Sequence, residues 1–230
     1  MSIQTVCIIK TGTIPIEQFE PITVWPFKKS LGITGASSVT LIENDASPTE
    51  ALLVDTGFEN EEDGSVSNLE KNQEKLKERL LTLGYIPENI ENIFITHWHR
   101  DHFGNLKLFS NAKIFTSRTA ISHHRLDTRF SNLIGVEDGD EIIKGVYAMS
   151  TPGHTANHFS LRFIYDGNNI VVAGDAVTSL SYFLARKTWN YNPDFESSQI
   201  AEYSFQKIVK YASVIIPGHG APFFNPKKIV

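Results

Sequence analysis

The sequence predicts a layered α/β or α+β domain, and three observations predict it. Short apolar runs rich in β-branched residues recur along the chain, two segments of helical periodicity lie between them, and no Pro/Gly/Ser linker divides the chain. The runs are residues 6–9, 39–42, 52–54, 93–95, 113–115, 159–164, 170–173 and 214–216, with a further strand-like stretch at 146–149. Each is bounded by Gly, Pro, Asn or Asp, so each reads as a strand. The first helical segment has Ser67 as cap and Glu70 to close a capping box, with Leu69, Leu76, Leu80 and Leu83 at helical spacing. Gly84 and then Pro87 end it. The second runs from about 198 to 211, with Ile200, Tyr203, Ile208 and Tyr211 as its expected inner stripe. Two stretches, 116–140 and 176–196, carry no clear pattern and read as long loops, which are usually functional or poorly ordered. One domain over residues 1–230 is the expected organisation.

The composition, 41% hydrophobic and 20% charged, is that of an ordinary globular chain. No apolar run is long enough for a membrane helix, and no signal peptide is read at the start, so a cytoplasmic location is expected. The single Cys7 rules out an internal disulfide and any thiolate cluster. It reads as a buried apolar residue rather than a nucleophile. The net charge of −5 gives no general phosphate-binding surface, although a local basic lip remains open. Neither a G-x-S-x-G elbow, a P-loop nor a dinucleotide-binding glycine motif is present.

The eight histidines carry the functional signal. After the run 93–95 comes Thr96-His97-Trp98-His99-Arg100-Asp101-His102, with Phe103-Gly104-Asn105 expected to open a helix. In an extended segment residues two apart point the same way, so His97 and His99 can grip one ion. As the chain turns, Asp101 and His102 swing toward a second. Imidazole and carboxylate are ligands shared by zinc, iron and manganese. His154 in Thr151-Pro152-Gly153-His154, Asp175 after 171–174, and His219 in Pro217-Gly218-His219-Gly220 each follow a predicted strand. Alone, each of these reads as an ordinary turn residue. Together they require strand ends that share one rim.

These motifs, with Val54-Asp55-Thr56-Gly57 before them, resemble those of the metallo-β-lactamase superfamily. The resemblance implies a four-layer αββα sandwich, two mixed sheets flanked by helices, with a binuclear metal site at the sheet edge. It implies that His97, His99 and His154 bind one divalent metal and that Asp101, His102 and His219 bind the other. Asp175 bridges both, zinc is the first expectation, and iron or manganese fits the same ligands. Asp55 is read either as a turn former or as a residue that orients a ligand histidine. A hydroxide held between the metals would be the nucleophile, with Asp101 orienting it and carrying its proton.

True β-lactamases of the fold carry Cys or Ser where Asp175 stands, so the resemblance implies another hydrolase, acting on a small ester, thioester or lactone. A compact single-domain group within the superfamily is similar at Phe103-Gly104-Asn105-Leu106 and Ala221-Pro222-Phe223. It is associated with ribonuclease activity, which makes RNA the alternative substrate. A mono-iron thiol dioxygenase is a third reading. Arg118, His123, His124, Arg125 and Arg129 form a basic patch, read either as an anion receiver or as a solvated loop. Tyr182, Phe183, Trp189 and Tyr191 either roof a pocket, stack on a base, pack internally or make a homodimer contact. His158 is expected in an outer or rim role. Arg118, His158 and Tyr182 are thus the candidate substrate contacts.

Overall fold

The structure, a computed structural model, describes residues 3–12, 36–44, 50–58, 69–190 and 192–227. Among these residues the chain forms two six-stranded sheets. The first has the order β1 (Ile3–Lys10), β2 (Val39–Asn44), β3 (Leu52–Val54), β4 (Asn92–Phe94), β5 (Lys113–Ser117), β6 (Leu133–Val136). The second sheet has the reverse chain order. From one edge it runs β12 (Phe223–Phe224), β11 (Val214–Pro217), β10 (Asn168–Gly174), β9 (Phe159–Tyr165), β8 (Val146–Ser150), β7 (Glu141–Ile143). Both sheets are mixed: β3 to β6 are mutually parallel and β10 pairs parallel with β11, while the remaining pairs are antiparallel.

The two-residue period of a strand sorts side chains into three cores. Ile42, Leu52, Val54 and Phe94 face Leu161, Phe163, Ile170 and Val172 between the sheets. The intervening Leu41, Leu53, Ile93 and Ile114 point outward, onto the helix Leu69–Thr82 and the segment carrying Leu106, Phe109 and Ala120. On the far side, Val171, Ala173 and Ile215 pack against Phe205 and Ile208 of the helix Ser198–Tyr211. Strands covered on both faces read as continuous apolar runs, which is why the central ones stand out in the sequence. The result is the expected αββα order of layers. No helix among the described residues is long and apolar enough to cross a membrane.

Several local expectations need correction. In the helix Ser198–Tyr211 the buried side chains are Ala201, Ser204, Phe205 and Ile208, while Tyr203 is 72% exposed. Small residues face inward because the helix lies against the loop before His154, close enough for Ser204 Oγ to donate to the Pro152 carbonyl at 2.6 Å. In Leu69–Thr82, Leu76 and Leu80 are buried, each contributing about 1.5–3 kcal/mol, but Leu83 lies beyond the helix and is exposed. The cap Ser67 lies outside the described residues. The stretch 116–140 is not a loop. It finishes β5, forms the helix Arg118–His123 and supplies β6. Likewise 176–196 contains the helix Leu180–Ala185. The helix expected to open at 103–105 instead runs from Arg100 to Phe103, followed by a 3-10 turn at Leu106–Leu108. Gly104 is pressed on the Phe58 side chain, and the Asn105 side-chain amide donates to the Thr56 carbonyl at 2.9 Å, so the chain is pinned there.

Candidate metal centre

Each residue of the cluster leaves the end of a strand at one rim. His97, His99, Asp101 and His102 follow β4 of the first sheet, whereas His154, Asp175 and His219 follow β8, β10 and β11 of the second. Backbone hydrogen bonds tie the sheets together here, from Phe159 N–H to the Thr96 carbonyl at 2.9 Å and from Ser38 N–H to the Gly218 carbonyl at 2.7 Å. Gly218 packs so closely on β10 that a Cβ there would collide with the Asp175 carboxylate. No other residue fits without moving that acid.

Seven side chains converge into two sets. In the first, His97 Nε2 and His154 Nε2 each lie 3.0 Å from His99 Nδ1, and Asp175 Oδ2 lies 3.3 Å from His154 Nε2. In the second, His219 Nε2 is 3.3 Å from Asp101 Oδ2 and 3.4 Å from Asp175 Oδ1. His102 Nε2 is 3.7 Å from Asp101 Oδ2 and 3.4 Å from Asp175 Oδ1. Ligands about 2.0–2.1 Å from a tetrahedral zinc stand about 3.3 Å from one another, so these spacings suit a shared cation. His102 Nε2 and Asp175 Oδ1 are buried with no hydrogen-bond partner among the described residues, an arrangement that costs free energy unless an ion satisfies them. The residues fit divalent cations, and one oxygen of Asp175 is turned to each set.

The partners behind the rings fix which nitrogen faces the cluster. Asp55, at φ +58°, accepts from Thr96 N–H at 2.9 Å and from His102 Nδ1–H at 2.7 Å, leaving His102 Nε2 free to ligate. Asp55 is therefore both a left-handed turn residue and the partner of a cluster histidine. The Thr96 hydroxyl donates to Asp55 Oδ2 at 2.9 Å, so its lone pair can take the His97 Nδ1 proton at 3.1 Å. His154 Nδ1–H donates to the Trp189 carbonyl at 3.0 Å. In each case the outer partner takes the far nitrogen, so the inward one is the nitrogen that can face a cation.

Electrostatics separate the two sets. Burial pushes His154 down to about 4 and His97 well below its usual range, and neighbouring histidines add to the effect on His97. For His219 burial pulls the same way, but the Asp175 and Asp101 carboxylates outweigh it and hold the ring up at about 10. His102 is likewise raised, with burial overcome by Asp55, Asp101 and Asp175. Burial alone would raise Asp101, yet His102 and His219 hold it at about 2.

The other candidate residues lie elsewhere. His158 is wholly buried. Its Nε2 accepts from Asp175 N–H at 3.1 Å, so its Nδ1–H points to Thr151 Oγ1 at 2.9 Å. Thr151 in turn contacts Ser160 Oγ at 2.8 Å, and Ser160 donates to the Ala173 carbonyl at 3.0 Å. This network fixes the Asp175 backbone and leaves His158 no surface for a substrate. Tyr182 is 2% exposed and packs near Trp189, so it too offers no substrate contact in this conformation. Arg118 faces solvent with its Nε 3.0 Å from Glu137 and does not join the cluster. Phe183 packs on Phe205 and Phe223, and Arg129 stacks on Phe103 and Phe130, which commits both to packing. Tyr191 lies outside the described residues. Sequence reasoning missed Thr96, Asn192 and Asp194. Thr96, a polar residue between an apolar strand and His97, was the one with a visible signal.

Residues 32–219 match the family model described as the Metallo-beta-lactamase superfamily, a span holding all seven cluster residues. The chain belongs to the metallo-beta-lactamase superfamily. Within that superfamily it is 34% identical over 160 residues to Metallo-beta-lactamase domain-containing protein 1 of Xenopus laevis, covering 66% of this chain and 63% of the relative. An N-acyl homoserine lactonase of Bacillus cereus is 26% identical over 152 residues, covering 57% of this chain and 60% of the relative. The chain thus spans less than two thirds of the length of either. A probable metal-dependent hydrolase from Staphylococcus aureus superposes with a TM-score of 0.68 at 14% identity, covering 99% of this chain and 96% of that one, a likeness of fold.

Proposed function

We propose that the chain is a metal-dependent hydrolase of small esters, thioesters or lactones, lactones foremost, working as one domain with two divalent cations, zinc first among them. Asp175 carries the reading, because its two oxygens lie 3.3 and 3.4 Å from histidines of different sets. A structural ion needs no shared carboxylate, whereas a pair of cations held a few ångströms apart is a hydrolytic device. His97, His99 and His154 would hold the first cation, Asp101, His102 and His219 the second, and Asp175 both. When bound, the cations supply a water acidic enough to be a nucleophile near neutral pH, and positive charge facing the oxygen that becomes anionic.

The chain's own residues do the remainder. Asp55, Thr96 and the Trp189 carbonyl hold the ligand rings in one tautomer. Asp101, its side chain 17% exposed and held ionised by His102 and His219, faces the rim, where it can accept a proton from the attacking water and return it to the leaving oxygen. The lactonase from Bacillus cereus supports lactones over other esters.

Zinc-loaded protein is expected to open an N-acyl homoserine lactone, read as acid release with a pH indicator. Chelation should abolish turnover, zinc should restore it, and Asp175→Ala should retain only about a thousandth of it. Turnover that survives chelation would sink the reading. Cleavage of bis(p-nitrophenyl) phosphate and single-stranded RNA, with lactones untouched, would move the same site to phosphodiesters. One iron per chain with oxygen uptake would move it to thiol oxidation.

A further inference from the structure

We propose that Asp194 is a positioning residue for His99, and that with Trp189 and Asn192 it supports the first cation's ligands from outside the rim. The inference rests on the two-cation reading above and goes beyond it, since Asp194 is not among the seven ligands.

The atom of His99 that faces His97 and His154 is Nδ1, at 3.0 Å from each. A cation held there requires the lone pair on Nδ1, and the ring proton must then sit on Nε2. That nitrogen faces Asp194 Oδ2 at 3.4 Å, and it makes no hydrogen bond among the described residues. A hydrogen bond from that Nε2–H to the carboxylate would hold the ring with Nδ1 turned to the cluster.

Asp194 is not a free loop acid. Its N–H donates to Asn192 Oδ1 at 2.9 Å, and the Asn192 amide donates to the His154 carbonyl at 3.4 Å. Two residues further on, Glu196 N–H donates to the Gly153 carbonyl at 2.9 Å. With the Trp189 carbonyl on His154 Nδ1 at 3.0 Å, one short stretch braces two of the three histidines of the first set. The side chains of His99 and Asp194 are 23% and 42% exposed, so this brace stands at the solvent side of the cluster. A carboxylate behind an imidazole ligand makes it a better donor and locks its orientation, effects worth roughly 10- to 100-fold in metal affinity.

The test uses the full chain and zinc. Asp194→Ala, Asp194→Asn and Asp194→Glu are titrated against a chromophoric chelator, with the ring nitrogens of His99 and His219 followed by long-range proton–nitrogen NMR as reporters of the two positions. Ala and Asn should weaken the position reported by His99 roughly 10- to 100-fold and leave that of His219 unchanged. Glu should recover most of the loss, and the His99 Nε2 signal should shift in Ala and Asn alone. Metal-free melting temperatures should match wild type, because the replaced side chain is exposed. Wild-type zinc affinity in Asp194→Ala, equal weakening at both positions, or no rescue by Glu would overturn the assignment while leaving the proposed function standing. A wild type that takes up no zinc would overturn both.

Discussion

The two proposed ligand sets share one aspartate and differ in nearly everything else. The set of His97, His99 and His154 is nitrogen only apart from that aspartate. His97 and His154 are kept neutral by burial, and the outer partners of the set are a hydroxyl, a carbonyl and an exposed acid. The set of Asp101, His102 and His219 adds a carboxylate of its own and has Asp55 behind it, and its histidines carry protons in the metal-free chain. His97 and His154 therefore have no added proton to displace when a cation binds, while His102 and His219 must release protons before one does. Similar ligands at one rim can thus have different loading chemistry, set by the groups one layer behind them.

The largest effect that bears on this contrast is expected from Asp175→Ala, because it removes the one ligand the sets share. Both positions should weaken, and turnover should fall about a thousandfold, the loss of several kcal/mol of stabilisation. Zinc stoichiometry after dialysis and steady-state rates check it; unchanged loading would break the picture of a shared acid. Next comes Asp55→Asn, which removes the carboxylate directly behind His102 and reaches His97 only through the Thr96 hydroxyl. Affinity at the position reported by His219 should drop roughly 10- to 100-fold, and that reported by His99 by clearly less.

Smaller again is the effect of pH. The second histidine pair is raised in the folded, metal-free chain, His219 to about 10, and a cation must displace those protons. Affinity there should rise with pH, by about tenfold per unit for each proton displaced, until pH passes roughly 10. His97 and His154 are lowered, the latter to about 4, so they hold no proton to displace at neutral pH and the first set should show a shallower slope. Calorimetry in buffers of different ionisation enthalpy counts the protons released at each step. The smallest effect, a control, is Tyr203→Ser on the exposed face of the last helix. It should change neither position and shift stability by less than about 0.5 kcal/mol.

The strands that carry the cluster could be read from the sequence because both their faces are covered, which makes 52–54, 93–95 and 170–173 continuous apolar runs. The cluster residues could be read for a related reason: a polar residue directly after such a run has little room to be anything but a rim residue. What escaped depends on tertiary contact. β6 contains Gly135, and β12 has only two residues, so neither carries a usable pattern. The inner face of Ser198–Tyr211 was misjudged because close approach to the loop before His154 favours Ala201 and Ser204 over the larger Tyr203. Asp194 lies about ninety-five residues from the histidine it faces, and nothing in its neighbours marks that pairing.

Each ligand set takes residues from both sheets, His97 and His99 with His154, and Asp101 and His102 with His219. A cation at either proposed position would then be a rivet through the sandwich, clasping layers that are otherwise joined by side-chain packing and a few rim hydrogen bonds. Loading should raise the melting temperature as well as enable chemistry.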